Sequence, residues 1–446
     1  MPLFRIGGIR LVIGALPAGP RLPVGVQTAA WIANPWAFME RAAARYGDTF
    51  TMRLAGEGTW VMMSHPDSVR EVFTAPPKLL RAGAANRILL PVVGANSVLL
   101  RDDDAHREQR RLLVPPFRGD RLKCHVNAMA DIAHSEIADW PRGEPVPLHS
   151  RMQALTLEVI LRAVLGASDT GRLGQLRAEL VRVLSTAAGS PGRLLLLVLS
   201  PQRVRAELTR RLFSRVDRLL IAEIQDRRGA DSLDERNDIT SMLLRATQGD
   251  GRPLSDVEVR DEVMTLLLAG HETTATALAW AVECIVAHPA VQDRLVEELR
   301  CGSHDFLDAI VKETLRLLPV FSLVPRRLTA SMEIGGRLLP AGVTVVPSIY
   351  LMHRRPDVYP DPERFRPERF LEQRAGAYTW IPFGGGVRRC LGAAFGQHEM
   401  RIVLGALFGS YQVRPVAEKR QPGRATVSLG WRPVPEPCQL RVTVEP

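Results

Sequence analysis

Two short stretches of the chain concentrate side chains with chemical reach. The first, Ala269-Gly270-His271-Glu272-Thr273-Thr274, sets a glycine and four polar groups inside an otherwise apolar run. The second, Phe383-Gly384-Gly385-Gly386-Val387-Arg388-Arg389-Cys390-Leu391-Gly392, follows a triple glycine with two arginines and a cysteine. His271-Glu272 invites a zinc-protease reading, which needs a histidine at position 275 so that two imidazoles face one metal from successive turns. Ala275 stands there, and the reading fails. Gly384-Gly385-Gly386 has neither the lysine of a phosphate loop nor the G-x-G-x-x-G spacing of a dinucleotide fold. A thiol hydrolase would pair Cys390 with a histidine and an Asn or Asp, and spacing alone leaves that open. Burying the polar groups of 269–274 unpaired would cost about 1–3 kcal/mol each, so water, a cofactor or a widened helical turn must satisfy them.

The elements around these stretches are mostly helical. Ser255-Asp256-Val257-Glu258 is a capping box, and apolar character then runs to His288-Pro289, where proline ends it. Roughly 32 residues at ~1.5 Å each give nearly 50 Å, enough to cross the molecule, so the helix must be largely buried. Apolar spacing of three and four predicts further helices over 34–46, 121–140, 151–165, 173–186, 204–227, 291–300, 305–317 and 393–409. Strands form a minor component: a hairpin of 50–54 and 59–63 around Gly56-Glu57-Gly58, and short strands at 332–334 and 343–346. Prolines and glycines predict an extended arm over 1–30, with the folded body over 31–446 starting near Trp31. The fold class is mainly α with a small β subdomain.

Composition narrows the partners. A chain of 446 residues, 46% hydrophobic and 24% charged, has a globular balance and can bury a sizeable core. The net charge of +10 would suit nucleic acid, yet it is carried by arginines scattered from end to end, with only four lysines. A nucleic-acid groove should cluster its cations and interleave aromatics, so no nucleic acid is expected. The five cysteines are odd in number, widely spaced and free of C-x-x-C pairs, which points to a reducing compartment. The apolar run from Ile6 to Leu16 is short and interrupted by Arg10, so no transmembrane anchor is expected and a cytoplasmic location is.

The segment Phe383 to Gly392 resembles the haem-binding signature of the cytochrome P-450 superfamily, with Phe383, Gly386, Arg388, Cys390 and Gly392 at the matching positions. Glu313-Thr314-Leu315-Arg316 matches the family's E-x-x-R, and Pro367-Glu368-Arg369-Phe370 the P-E-R-F that adds a third charge. His106-Arg107-Glu108-Gln109-Arg110 is similar to the family's H-x-x-x-R. The stretch from Ala269 to Thr274 resembles the oxygen-binding part of the family's long central helix. The likeness covers nearly the whole chain.

This resemblance implies a single large domain with the central helix over haem b (iron protoporphyrin IX), a soluble bacterial-type haem-thiolate monooxygenase. Cys390 would be the axial iron ligand, its thiolate held by helix N–H groups and dipole. Phe383 and Gly386 would shape the loop, and His106, Arg110, Arg326 and Arg388 would bind the propionates. Glu272 and Thr273 would relay protons to dioxygen. Other uses of the fold, peroxide-driven or non-redox catalysis or mere haem binding, stay open. The chain ends too soon after Cys390 to carry a reductase, so electrons from NAD(P)H are expected through a separate reductase and a ferredoxin or flavodoxin-type donor, with Arg354, Arg355, Arg388 and Arg389 as part of its docking face. The protein is expected to be a monomer. A hydrophobic small-molecule substrate, a lipid, terpene or polyketide, is expected against 82–99, the flanks of Ser190-Pro191-Gly192, Ala275, Thr276 and Val320 to Val324, with 193–199 as an apolar lid.

Overall fold

The computed structural model describes residues 3–6, 9–12, 16–166, 171–188, 202–415, 426–428, 432–434 and 441–445. The expected lid at 193–199 and the Ser190-Pro191-Gly192 turn lie outside them. Eight helices matter for the site: α1 (Val24–Ala33), α2 (Pro66–Thr74), α3 (Asp103–Leu113), α4 (Gly119–Ala138), α5 (Leu148–Leu165), α6 (Asp256–Val286), α7 (Asp305–Leu317) and α8 (Ala393–Ser410). The long helix α6 is where the capping box predicts it. The Ser255 hydroxyl accepts from the Glu258 N–H at 3.3 Å, and the Glu258 carboxylate accepts from the Ser255 N–H at 2.9 Å. Helices α5, α7 and α8 pack around α6, with α4 against α5 and α8, and their apolar faces make the main core. Between Val259 and Val282 only Ala269, Gly270, Glu272 and Thr273 are not buried. The break in burial falls on the chemically loaded stretch.

The largest sheet has five strands, β1 (Thr49–Leu54), β2 (Gly58–Met63), β3 (Leu80–Arg81), β4 (Arg326–Leu328) and β5 (Thr344–Pro347), in the order β1-β2-β5-β4-β3. Only the β2–β5 pair is parallel. The β1–β2 hairpin turns through Gly56 and Gly58, whose φ of 81° and 84° suit glycine. Val61, Val345 and Ile381 join Val69, Val72 and Phe73 of α2 in a second core. Smaller sheets join Leu3–Ile6 and Ile9–Val12 to Arg337–Leu339 and Met332–Ile334, and Val146–Pro147 to Arg441–Glu445 and Gln412–Pro415. The mainly α class with a small β component holds.

The boundary at residue 30 moves. Helix α1 starts at Val24, directly after Pro23, and residues 3–6 and 9–12 form strands, so 1–30 is not one extended arm. Proline at a helix start costs no hydrogen bond, which is why this proline opens a helix. The Gln27 side chain accepts from the Arg53 N–H at 3.0 Å, and Trp31 packs edge-on against Trp60, tying this region to the sheet. Among the described residues no single helix is long and apolar enough to cross a membrane.

Candidate functional site

The loop before α8 is shaped by glycine for two separate reasons. Gly384 and Gly386 have φ of 65° and 64°, where a side chain would strain the backbone. A Cβ on Gly385 would stand 2.1 Å from the Phe73 ring of α2, and one on Gly386 2.2 Å from the Phe73 carbonyl oxygen. The Cys390 N–H donates to the Phe383 carbonyl at 3.0 Å and closes the loop just ahead of the helix. The Phe383 ring sits edge-on to Trp380. Cys390 is exposed and yet deep among protein atoms, as a thiol facing an internal hollow is. Burial pushes its thiol up, while the Gly392 N–H and the Arg110 and Arg389 guanidinium groups pull it back. That set of donors is suited to holding a thiolate at a metal.

Three elements bring basic side chains to the same place. His106 and Arg110 come from one face of α3, Arg326 from the start of β4, and Arg388 from the turn Gly386–Arg388. Burial, then Arg388, Arg110 and Arg326, push the His106 imidazole down to about 3, so it is neutral. Burial and the nearby Arg388 lower Arg326 to about 10. Among the described residues the Arg326 side chain donates one hydrogen bond, to the Pro325 carbonyl at 2.8 Å. No carboxylate among the described residues lies within ion-pair distance of His106, Arg110 or Arg326. Buried cations without counter-ions are costly unless an anionic group completes them, and a haem with its two propionates would do so. Arg388 differs from the expectation. Its guanidinium is bonded to Asp102 at 2.6 Å and to the carbonyls of Val98 and Arg101, so it braces the 82–102 segment as well as adding charge.

That segment is moored at both ends. Asp102 also accepts the N–H groups of Gly83 and Ala84 at 2.8 and 3.0 Å. At the other end the Asn96 N–H donates to Asp261 at 3.0 Å and the Val98 N–H to Glu262 at 2.8 Å, both on α6. Burial pushes the Glu262 carboxyl up to about 8. Sequence reading missed this pair, because two acids in a long helix look like a solvated face.

The expected acid–alcohol pair is present on α6, but its members point apart. The Thr273 hydroxyl donates to the Ala269 carbonyl one turn back at 2.6 Å, beside the exposed Ala269. Glu272 turns to α5, where it accepts from the Gln153 amide at 2.8 Å and lies 3.5 Å from His149 Nε2. Burial works to raise its carboxyl, but the adjacent His149 and the Gln153 amide hold it below the ordinary range. His271 meets the Thr156 hydroxyl through Nδ1 at 3.0 Å. The polar groups of 269–274 are thus satisfied by α5 and by the helix's own carbonyls, and α6 runs through without a widened turn. Ala275 and Thr276, expected to line the substrate space, are buried, while Ala269 is open.

Beneath the loop lies a closed network. Arg316 pairs with Glu313 through two hydrogen bonds, of 2.7 and 2.9 Å, and Arg369 joins Glu313 at 3.0 Å. Arg316 also donates to the His353 and Pro362 carbonyls, at 2.8 and 2.7 Å. His353, pushed down to about 3 by burial, accepts the Ile381 N–H at 2.9 Å, which carries the network to the strand of chain entering the Phe383 loop. His353 was not singled out from sequence, since a histidine in an apolar run carries no spacing signal. Arg354 and Arg355, expected on a docking face, are occupied: Arg354 stacks 3.9 Å over the Tyr350 ring, and Arg355 pairs with Asp48 and Asp357. Arg389 stays exposed.

Comparison with known proteins agrees with this geometry. A family model described as cytochrome P450 matches residues 17–436. A Mycobacterium tuberculosis protein named "Putative cytochrome P450 135B1" is 43% identical over 395 residues, covering 87% of this chain and 84% of its own. "Putative cytochrome P450 138" of the same organism is 37% identical over 410 residues, covering 88% and 90%. Among solved structures, retinoic acid-bound cyanobacterial CYP120A1 superposes with a TM-score of 0.80 at 24% identity, covering 97% of this chain and all of that one. CYP175A1 of Thermus thermophilus gives 0.71 at 26% identity, covering 93% and 96%.

Proposed function

Since the chain belongs to the cytochrome P450 family of haem-thiolate monooxygenases, we propose that it inserts one atom of dioxygen into a hydrophobic small molecule, by hydroxylation or epoxidation. The observation that carries this is the convergence of Cys390 with the neutral His106 imidazole and the arginines Arg110 and Arg326, which have no carboxylate partner among the described residues. Cys390 Sγ would hold the iron of haem b, and Arg110, Arg326 and His106 its propionates, with Phe383 and Gly386 setting the loop and Arg388 braced on Asp102. Bound haem would supply dioxygen activation, and thiolate donation favours O–O cleavage.

The protein's own share is positional and protonic. The 82–102 segment, held to α6 by Asp261 and Glu262, excludes water from one side of the site. Its side chains Ile88, Leu89 and Val92, with Val320 and Leu323, favour an apolar substrate. The Thr273 hydroxyl, open beside Ala269, holds a proton where the reaction needs one, and the Glu272 carboxyl renews it. Electrons come from NAD(P)H through a separate reductase and a ferredoxin or flavodoxin-type donor. Exposed Arg389, rather than Arg354 or Arg355, supplies positive charge on the Cys390 side.

The test is the ferric absorption spectrum of the purified protein, before and after adding fatty acids, terpenes and macrolide-like lipids. A haem band that moves to shorter wavelength supports the reading and names a substrate class. Absence of any haem band from protein expressed with adequate haem supply overturns it.

A further inference from the structure

Helices α5 and α6 meet over an apolar interface that is broken in one place. His149, Gln153 and Thr156 recur at intervals of four and three on α5, so they share a face, and that face meets His271 and Glu272. Met152, Leu155, Val159 and Ile160 around them are buried. The helices pack closely at the end of the seam, where a Cβ on Gly270 would stand 2.7 Å from Ile160 Cδ1. Side chains carry the polar contacts between them. Apolar residues would pack this interface at lower cost, so the seam serves something other than stability.

The seam has an entrance and a terminus, both partly open. The side chains of His149, near the start of α5, and of Glu272 are 21% and 23% exposed, whereas His271 is almost closed off at 4%. Burial keeps His271 neutral, its imidazole pushed down to about 4, and its Nδ1 is engaged by Thr156. The terminus is Glu272, with Gln153 fixing one carboxylate oxygen and His149 Nε2 facing the other, 3.5 Å away. Around Glu272 the titratable groups are His149 on α5 and His271 on its own helix.

We propose that this seam is the proton entry for Glu272. A proton taken from solvent by the His149 imidazole passes from Nε2–H to Glu272 Oε1, leaving neutral imidazole and a neutral carboxyl. Rotation of the Glu272 side chain then presents that proton to the groove between Ala269 and Thr273, and solvent reprotonates His149. The proposal rests on the proton-relay reading of Glu272 and Thr273.

Two measurements test it. The first is a double-mutant cycle on Tm with H149Q and E272Q at about pH 6 and pH 8. Coupling between the two sites, larger at the lower pH, is expected, and no coupling at either pH overturns the contact. The second follows dithionite-reduced holoprotein returning to its ferric spectrum in air-saturated buffer, as a function of pH and in D2O. Wild type should return faster as pH falls and more slowly in D2O. H149Q can hold a hydrogen bond but cannot carry a proton, so it should be about tenfold slower at the acid end with a flattened profile. If the seam were only structural, glutamine would restore the wild-type profile, and that result overturns the proposal. H149F, should it fold, must behave as H149Q does. E272Q separates the two readings: an unchanged profile in E272Q removes the relay itself, whereas a flat E272Q beside a normal H149Q removes only the entry at His149.

Discussion

Two clusters of buried charge lie on either side of the cysteine loop, and they are finished in opposite ways. In the network of Glu313, Arg316 and Arg369 every charge meets a partner from the chain itself, with both Glu313 and Arg316 fully buried. In the cluster of His106, Arg110 and Arg326 two arginines gather around a neutral imidazole with no carboxylate paired to them among the described residues, while Arg388 nearby has found Asp102. The first is complete on folding and serves architecture. The second is complete only when an anionic group arrives, so the same residue type reads as structure in one place and as a binding site in the other.

Breaking the closed network should have the largest effect. Arg316→Leu leaves the buried Glu313 carboxylate with one cation, Arg369, in place of two and should cost about 3–5 kcal/mol. Thermal unfolding of the purified variant, or its failure to appear in the soluble fraction, checks this. A Tm within a few degrees of wild type would mean that the pairing is weaker than its geometry. Breaking the open cluster should spare the fold. Arg326→Ala is expected to leave the Tm of haem-free protein unchanged or higher, while haem binds about 10- to 100-fold more weakly through loss of a charge-assisted hydrogen bond. Haem titration followed by absorbance measures both halves of that expectation.

Acid should act on both clusters through buried neutral histidines. His106 and His353 are held near 3 when folded, well below the ordinary imidazole value of 6.5. The unfolded chain therefore binds more protons between those limits. Stability from each histidine is fully present above about pH 6.5 and is lost as pH falls, by about 1.4 kcal/mol per pH unit. His106→Gln should remove one proton from that slope in haem-free protein, which urea unfolding at a series of pH values would register. The smallest effect is expected at Glu262. Its folded value of about 8 exceeds the ordinary 4.5, so its contribution fades as pH rises through that window. Glu262→Gln should flatten the fall in Tm between about pH 5 and pH 8, and an unaltered fall would show that another group titrates there.

The sequence carried the rigid parts of this picture and missed the negotiated ones. The capping box at Ser255, the 3.6-residue periodicity of α5 and α6 and the glycines around the hairpin are local signals, and each element formed where those signals stand. Cys390, His106, Arg110 and Arg326 were legible through motif spacing, and the fold brings them to one place. The orientation of Glu272 was not legible, because it is decided by Gln153 and His149, more than a hundred positions away. The same holds for Asp261 and Glu262, whose partners are backbone N–H groups of a distant segment, and for Arg355, whose partner Asp48 stands far back in the chain. Long-range pairing chosen by packing leaves no trace in spacing.

The mooring of the 82–102 segment has one further consequence. Asp102, Asp261 and Glu262 hold it by the main-chain N–H groups of Gly83, Ala84, Asn96 and Val98, and Arg388 holds it by the carbonyls of Val98 and Arg101. Peptide groups are common to every amino acid. The side chains from Arg87 to Leu90, which take no part in these bonds, are therefore open to exchange without loosening the tether, and a lineage or a designed library could rewrite what this face accepts while the cover stays in place.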